Sequence, residues 1–263
     1  AINKVFYGPG LRMIFAADDA GIFHAYDINK KINRSVKAEG PIKTFAVSID
    51  RLHYFIATKG SSEIVQYDIL GKVIRRFQGH AGEINDLEVT VDRKFLISAS
   101  ADQTIKIWNL QTGKMAISLS KHHNWNITSL TVDPYSRYVA SCGLDGLVNI
   151  YEIATGKLLK TYKNTNGRCN EVVFSPDVTQ VAVALHIDNP GDEGYGSNIW
   201  ETGLERPRAA APAQPSKAMQ RRMRKAKPKA ASGKQSASPK ESKADKDQSV
   251  LHKSDQIEIT IDN

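Results

Sequence analysis

Long apolar runs and cysteines are scarce in this sequence. Although 41% of its 263 residues are hydrophobic, no run approaches the roughly 18 apolar residues of a membrane-spanning helix, and the N-terminus lacks a secretory signal pattern. Only two cysteines are present, Cys142 and Cys169, and they are not spaced as metal ligands. These absences argue against a membrane protein and a disulfide-stabilised secreted domain, and they indicate a reducing intracellular compartment.

Motifs that carry catalytic chemistry are also missing. The sequence has no Gly-rich phosphate loop, no nucleophile elbow and no zinc-ligand spacing. The paired carboxylates Asp18 and Asp19 fall in a predicted turn, where a structural role explains them. We therefore predict no catalytic residue, no metal, no cofactor and no small-molecule substrate.

The positive charge of the chain is concentrated near its C-terminus. The net charge is +8. Residues 204–263 hold 14 Lys and Arg against 7 Asp and Glu, which leaves 22 basic and 21 acidic residues in 1–203. The first part is therefore nearly neutral, and the last part makes the protein basic.

An internal repeat organises the neutral part. Short alternating segments such as Ile84–Val89 are typical of strands, and turn signals such as Ala101–Gln103 separate them. Four landmarks recur at one offset of 43 residues. The pairs are His80 and His123, Ser98 and Ser141, Asp102 and Asp145, and Trp108 and Tyr151.

These landmarks resemble the WD-repeat family, whose unit is a propeller blade of four antiparallel strands. The resemblance implies a buried hydrogen-bond network of His, Ser, Asp and Trp, since buried polar groups are costly unless they are paired. The repeat at 79–119 matches best. Its matching residues are Gly79-His80, Ser98, Asp102 and Trp108-Asn109. The repeat at 122–161 keeps the pattern but has Tyr151 where the family has Trp.

We predict an all-β fold, a WD-repeat β-propeller with four to five blades in residues 1–203, as part of a seven-bladed ring. The predicted units are 1–37, 38–78, 79–121, 122–164 and 165–203. The fifth unit contains a Gly- and acid-rich insertion, 186–196, before its third strand, and it ends after Trp200 without a fourth strand.

A ring that lacks blades exposes apolar sheet faces. We therefore expect the native polypeptide to continue before Ala1, with about two further blades of about 40–45 residues each and a closing strand. The alternative is that the segment Gln256–Ile261 returns to supply the missing strand. The same alternating segment could instead add to the sheet edge of a partner.

Residues 204–263 are predicted to be a low-complexity, disordered basic tail with a short strand-like end, since they have few large apolar side chains to offset the entropy of ordering. A stretch of the tail, 217–234, has eight basic residues and no acidic one. They are Lys217, Arg221, Arg222, Arg224, Lys225, Lys227, Lys229 and Lys234. Such a cluster suits RNA phosphates or an import receptor. A solvated linker that keeps the protein soluble is the alternative.

Together these features predict a non-enzymatic scaffold subunit of a large intracellular assembly. The propeller would hold several protein partners, and the tail would contact RNA or partners. A nuclear, nucleolar ribonucleoprotein setting such as ribosome assembly is the first hypothesis. A cytoplasmic or chromatin-associated adaptor, whose tail serves only import or solubility, is the second. A third hypothesis, an enzyme with a site in the central channel, lacks a nucleophile, base or metal cluster in the sequence.

Overall fold

A computed structural model of the chain describes residues 2–8, 12–163, 167–189 and 192–204. Strands and turns make up these ranges, with 19 strands arranged in five antiparallel sheets. Within the same ranges, no helix is long and apolar enough to cross a membrane. The predicted all-β class is confirmed, and the sheets of three to four antiparallel strands are consistent with the predicted propeller blades.

Each sheet is built from strands that follow one another in the chain. Sheet 1 holds β1 (Ile2–Gly8), β2 (Met13–Asp18), β3 (Ile22–Asp27) and β4 (Ile32–Lys37). Sheet 2 holds β5 (Ile42–Val47), β6 (His53–Thr58), β7 (Ile64–Asp68) and β8 (Val73–Phe77). Sheet 3 holds β9 (Ile84–Val89), β10 (Phe95–Ser100), β11 (Ile105–Asn109) and β12 (Met115–Leu119). Sheet 4 holds β13 (Ile127–Val132), β14 (Tyr138–Gly143), β15 (Leu147–Glu152) and β16 (Leu158–Lys163). Sheet 5 holds β17 (Arg168–Phe174), β18 (Gln180–Asn189) and β19 (Asp192–Glu201).

Middle strands are apolar on both faces because sheets pack against both. In β6, Tyr54 and Ile56 belong to the cluster shared with sheet 1, whereas Phe55 and Ala57 belong to the cluster shared with sheet 3. Successive side chains of a strand point to opposite faces, so one strand serves two cores. Two further clusters join sheets 3 and 4 and sheets 4 and 5. The core is thus a series of four layers between neighbouring sheets.

A recurring turn joins the first two strands of sheets 2 to 5. At its fourth residue the backbone takes a positive φ of 59–65°, at Arg51, Arg93, Ser136 and Val178. In three of the turns a hydroxyl bonds the carboxylate two residues on, as Thr90 Oγ1 does with Asp92 Oδ1 at 2.7 Å. Short polar side chains that bond the local backbone favour such turns. The turn therefore sets the same strand direction in each sheet.

The two terminal sheets each have an exposed apolar face. In sheet 1, Phe15 is fully buried against sheet 2, while the adjacent Ile14 is 38% exposed. In sheet 5, Ile199 and Tyr195 are 65% and 83% exposed. The expectation of further blades before Ala1 and of a seven-bladed ring stays a prediction, as do the predicted unit boundaries.

Sheet 5 differs from its predicted form. Within the predicted insertion 186–196, residues 186–189 and 192–196 belong to β18 and β19, which stay paired from Gln180 and Glu201 to Asn189 and Asp192. Two strands can continue beyond a sheet when each supplies the other's backbone hydrogen bonds. Residues 205–263 lie outside the described ranges, so the predictions for the tail and for Gln256–Ile261 are not addressed by the structure.

Candidate functional site

Sheet 3 contains a connected hydrogen-bond network. His80 Nδ1 lies 2.8 Å from Asp102 Oδ2, and His80 Nε2 lies 2.8 Å from Ser98 Oγ. The indole Nε1 of Trp108 donates to the same hydroxyl at 2.9 Å. The structure thus brings together the four residues that the repeat pattern singled out in this unit.

Three elements position these side chains. Ser98 lies on β10 and Trp108 on β11, where the strands pair Ser98 with Lys106. His80 precedes β9, and Asp102 lies in the turn between β10 and β11. A network of this kind fastens the loop before the sheet to the turn inside it, because every buried polar atom finds its partner there.

The Asp102 carboxylate is the most heavily bonded group of this network. It also accepts the amide of Ala81 at 2.9 Å and the hydroxyl of Thr104 at 2.7 Å. Burial by itself raises the pKa of Asp102, but the hydrogen bonds from His80, Thr104 and Ala81 outweigh it, so its pKa lies well below the usual value.

Sheet 4 repeats the frame with a longer contact between His and Asp. His123 Nε2 lies 2.8 Å from Ser141 Oγ, while His123 Nδ1 lies 3.1 Å from Asp145 Oδ2. Burial raises the pKa of Asp145, and hydrogen bonds from His123 and the Asn124 amide lower it further than burial raises it. Tyr151 is buried at the position equivalent to Trp108.

Asn149 joins the network of sheet 4, which the repeat pattern did not predict. Its Nδ2 lies 3.1 Å from His123 Nε2 and donates to the carbonyl of His122 at 2.9 Å, while its Oδ1 accepts the Thr161 hydroxyl at 2.7 Å. The offset of 43 residues places Lys106 at the equivalent position of sheet 3, where its side chain is buried and bonded to Ser118. A polar residue at the same middle-strand position of both repeats is the signal that could have identified Asn149.

The order Ser–His–Asp in both networks resembles that of a hydrolase triad. A nucleophilic serine must reach a substrate carbonyl, whereas Ser98 and Ser141 are fully buried and inaccessible. Moreover, Ser98 Oγ is already bonded to Trp108. This arrangement serves to hold the sheet together rather than to attack a substrate.

A second site lies where the first strands of all five sheets meet. We call it the central cavity; its volume is about 560 Å³. Apolar side chains dominate its wall, including Phe6, Phe45, Leu87, Leu130 and Val172. Its charged lining residues are Lys4 on β1, Asp86 and Glu88 on β9, and Glu171 on β17.

Asp86 connects four of these strands. Its Oδ1 accepts Lys4 Nζ at 2.7 Å and Thr44 Oγ1 at 3.2 Å. Its Oδ2 accepts Ser129 Oγ at 3.2 Å and the amide of Leu130 at 3.1 Å. The carboxylate is therefore fully engaged in joining sheets 1, 2, 3 and 4.

Glu88 is much less engaged. It is half-buried in the cavity wall, and among the described residues it accepts a single hydrogen bond, from the Val132 amide to Oε2 at 2.7 Å. Withdrawal from water raises the pKa of Glu88 to about 8, the Val132 amide lowers it, nearby Asp86 adds to the rise, and Lys4 opposes it.

The eight basic tail residues predicted to bind RNA or an import receptor, Lys217 to Lys234, lie outside the described residues. Their contribution to a site therefore stays a prediction from the sequence.

Comparison with protein families places two repeats in the middle of the chain. Residues 71–109 and 113–152 match the family described as WD domain, G-beta repeat. Each match begins near the last strand of one sheet and ends at the third strand of the next. A repeat of sequence is thus offset by one strand from a sheet.

Similar curated proteins each match between two fifths and two thirds of the chain. The U3 small nucleolar RNA-associated protein 15 homolog of Xenopus tropicalis is 25% identical over 187 residues, which cover 67% of this chain and 32% of that protein. Pre-mRNA-processing factor 17 of Homo sapiens is 23% identical over 180 residues, 66% of this chain and 28% of that protein. Target of rapamycin complex subunit LST8 of Saccharomyces cerevisiae is 26% identical over 110 residues, 41% and 36% of the two chains. The chain spans about a third of the length of these relatives.

Proposed function

We propose that this chain, a WD-repeat protein, is a non-enzymatic scaffold subunit that holds several protein partners in a multi-subunit assembly. The observation that carries the proposal is the state of the polar groups that recur in sheets 3 and 4: they are buried and bonded to one another. Such groups stabilise a rigid frame, which leaves the loops and the central cavity for binding.

The names of similar proteins support an assembly rather than an isolated protein. One relative is named for association with U3 small nucleolar RNA, one for pre-mRNA processing and one as a subunit of the target of rapamycin complex. Fold alone does not specify function, so the choice among these settings depends on the partners themselves.

Affinity purification followed by mass spectrometry tests the scaffold proposal. The full chain is expected to retain a reproducible set of proteins in a fixed ratio, and the set should survive RNase treatment where protein surfaces hold it. Recovery of the chain alone under native conditions, at several salt concentrations, would overturn the proposal.

We propose further that the basic tail contacts RNA inside a nuclear ribonucleoprotein assembly, with ribosome assembly as the first setting. Eight basic and no acidic residues in 217–234 support this, because flexible positive charge binds phosphates through counterion release. Deletion of 217–234 should abolish the salt-dependent part of RNA binding, while deletion of 236–253, which has the same length, should leave most of it. Affinity that is independent of salt, or unchanged by the first deletion, would contradict RNA binding by the tail.

Cellular location separates this proposal from the cytoplasmic or chromatin adaptor. A fluorescent fusion of the full chain is expected in the nucleus and nucleolus, and a fusion lacking 217–234 in the cytoplasm. A cytoplasmic full-length fusion would favour the adaptor whose tail keeps it soluble.

A further inference from the structure

The central cavity has an unusually apolar opening. Phe6, Ile49, Val91 and Val173 line it and are 46%, 49%, 46% and 53% exposed. Ile49 and Val91 belong to the turns that follow β5 and β9, so the opening lies at the C-terminal ends of the first strands. Exposed apolar side chains that converge around one depression are typical of a binding surface.

The charges of the cavity do not cancel. Lys4 is paired with Asp86 at 2.7 Å, which leaves Glu88 and Glu171 without an ion-pair partner among the described residues of the cavity. The excess charge is therefore negative, from Glu171 and, above its raised pKa, from Glu88 as well. It repels phosphate groups, so RNA does not suit this cavity, whereas a cation does.

Lys4 illustrates how the wall accommodates a cationic side chain. Its ammonium lies 2.7 Å from Asp86 Oδ1, 3.0 Å from Thr44 Oγ1 and 5.8 Å from the centre of the Phe45 ring. An ammonium near an aromatic ring and hydrogen-bonded to a carboxylate is a favourable arrangement. Glu88, two residues after Asp86 on β9, offers a second carboxylate beside apolar neighbours.

We propose that the central cavity binds an extended segment of a partner protein that places an arginine or lysine side chain at Glu88 and apolar side chains against Phe6, Ile49 and Val91. This inference rests on the proposed scaffold function and names the chemistry of one partner. Glu88 supplies the charged hydrogen bond, and the apolar rim supplies the contact area.

The test compares two peptides that differ only in charge. One is an acetylated and amidated pentapeptide, alanine–leucine–arginine–leucine–alanine; the other replaces arginine by citrulline, which has the same shape and no charge. Titration calorimetry with the full chain at pH 9, above the raised pKa of Glu88, should give at least about tenfold tighter binding for the arginine peptide, the value of one charged hydrogen bond.

Glu88→Gln tests whether Glu88 causes the preference for the arginine peptide. The variant should remove the preference for arginine and leave citrulline-peptide binding unchanged. Glu201→Gln is the matched control, because Glu201 lies on β19 outside the lining of the cavity; it should keep the full preference. Should Glu88→Gln fail to fold, the preference of the wild-type chain for the arginine peptide, and the pH dependence of that preference, still test whether Glu88 binds the cation.

The pH dependence follows from the charge of Glu88. A cation favours the ionised carboxylate, so binding releases a proton when the pH lies below the pKa of Glu88, which is raised to about 8. Affinity for the arginine peptide should therefore rise about tenfold from pH 7 to pH 9. Lys4, Asp86 and Glu171 also face the cavity from β1, β9 and β17, and Glu171→Gln should leave this rise in place.

The outcomes separate the two proposals. Equal affinity for the two peptides, or a preference that survives Glu88→Gln, overturns the assignment of the cavity. Reproducible protein partners recovered alongside that result would leave the scaffold function standing. Failure to recover any partner would instead overturn the scaffold function.

Discussion

Sheets 3 and 4 use the same His–Ser–Asp frame but close it with different side chains. In sheet 3, the indole of Trp108 donates to Ser98. In sheet 4, Tyr151 occupies that position, and Asn149 bonds His123, the His122 carbonyl and Thr161. One large donor is thus replaced by a smaller aromatic ring and an amide that reaches three partners. The comparison teaches that the network depends on saturation of its polar atoms rather than on one residue type.

Tyr151 and Trp108 also differ in the surroundings that bury them. Burial is the main cause of the raised pKa of Tyr151, and the side chains of Ser141 and Asn149 oppose it. Trp108 packs in a T-shaped contact with Phe77 of sheet 2, with ring centres 5.7 Å apart. The indole of Trp108 therefore contributes both to its own hydrogen-bond network and to the core between sheets 2 and 3. Loss of Trp108 should consequently destabilise the fold more than loss of Tyr151.

The largest effect is expected from Trp108→Ala. The variant leaves a cavity and removes a donor from Ser98, which should lower the free energy of unfolding by about 3–5 kcal/mol. Urea unfolding followed by circular dichroism measures it. Trp125→Ala is the control because Trp125 is 57% exposed; its effect should stay within about 0.5 kcal/mol. Similar losses of unfolding free energy for both variants would show that Trp108 does not contribute specially to the stability of the core.

Asp102→Asn should have the second-largest effect. It should lower the free energy of unfolding by about 2 kcal/mol at pH 7, because charged hydrogen bonds become neutral ones. The pKa of folded Asp102 lies below its usual value, so its contribution is present above about pH 4 and is lost as the pH falls further. The gap between the thermal melting temperatures of wild type and variant should therefore narrow between pH 4 and pH 2.

Asp145→Asn is the matched variant in sheet 4. Its pKa is lowered in the same direction, and its contact with His123 is longer than the 2.8 Å contact of sheet 3. The loss at pH 7 should be smaller than for Asp102→Asn. A gap that does not change with pH in either pair would contradict the charged form of these carboxylates in the fold.

Asn149→Ala tests whether the amide completes the network of sheet 4. It leaves the His122 carbonyl and the Thr161 hydroxyl without their partner, so a loss of about 1–2 kcal/mol in unfolding free energy is expected. Asn149→Asp retains the acceptor for Thr161 and removes the donors, and Thr161→Val removes the hydroxyl alone. The three urea midpoints together identify which bond matters. A neutral Asn149→Ala would mean that Tyr151 completes the network unaided.

The smallest effect is expected from Tyr151→Phe, which keeps the buried ring and removes the hydroxyl. A loss of about 0.5–1.5 kcal/mol is the usual value of one hydrogen bond. Trp108→Tyr, the reciprocal change in sheet 3, should cost more because no asparagine stands at the equivalent of Asn149; Lys106 does. Equal thermal shifts for the two variants would show that the sheets do not differ in this way.

Much of the fold follows from local sequence. The alternation of Ile84–Val89 and the turn at Ala101–Gln103 are short-range features, so they specify strands and turns wherever the sheet lies. The offset of 43 residues identifies the equivalent residues of two repeats, the resemblance to the WD repeat implies that His, Ser and Asp of one repeat meet, and the structure brings them together in both. The composition of 186–196 predicts an insertion before the third strand but not that its described residues pair as extensions of β18 and β19, because that pairing depends on backbone hydrogen bonds between the two strands.

What the sequence by itself determined about this protein is its repeated unit: an all-β chain of similar sheets, two with a buried polar network, followed by a basic segment. Only the tertiary structure decided the central cavity and the role of Asn149. Lys4 and Asp86 are 82 residues apart in the chain and meet at 2.7 Å, and Glu88 gains its raised pKa from the surroundings that five sheets create. The physical reason is that burial and charge depend on distances between sheets, and no pattern within a single repeat encodes those distances.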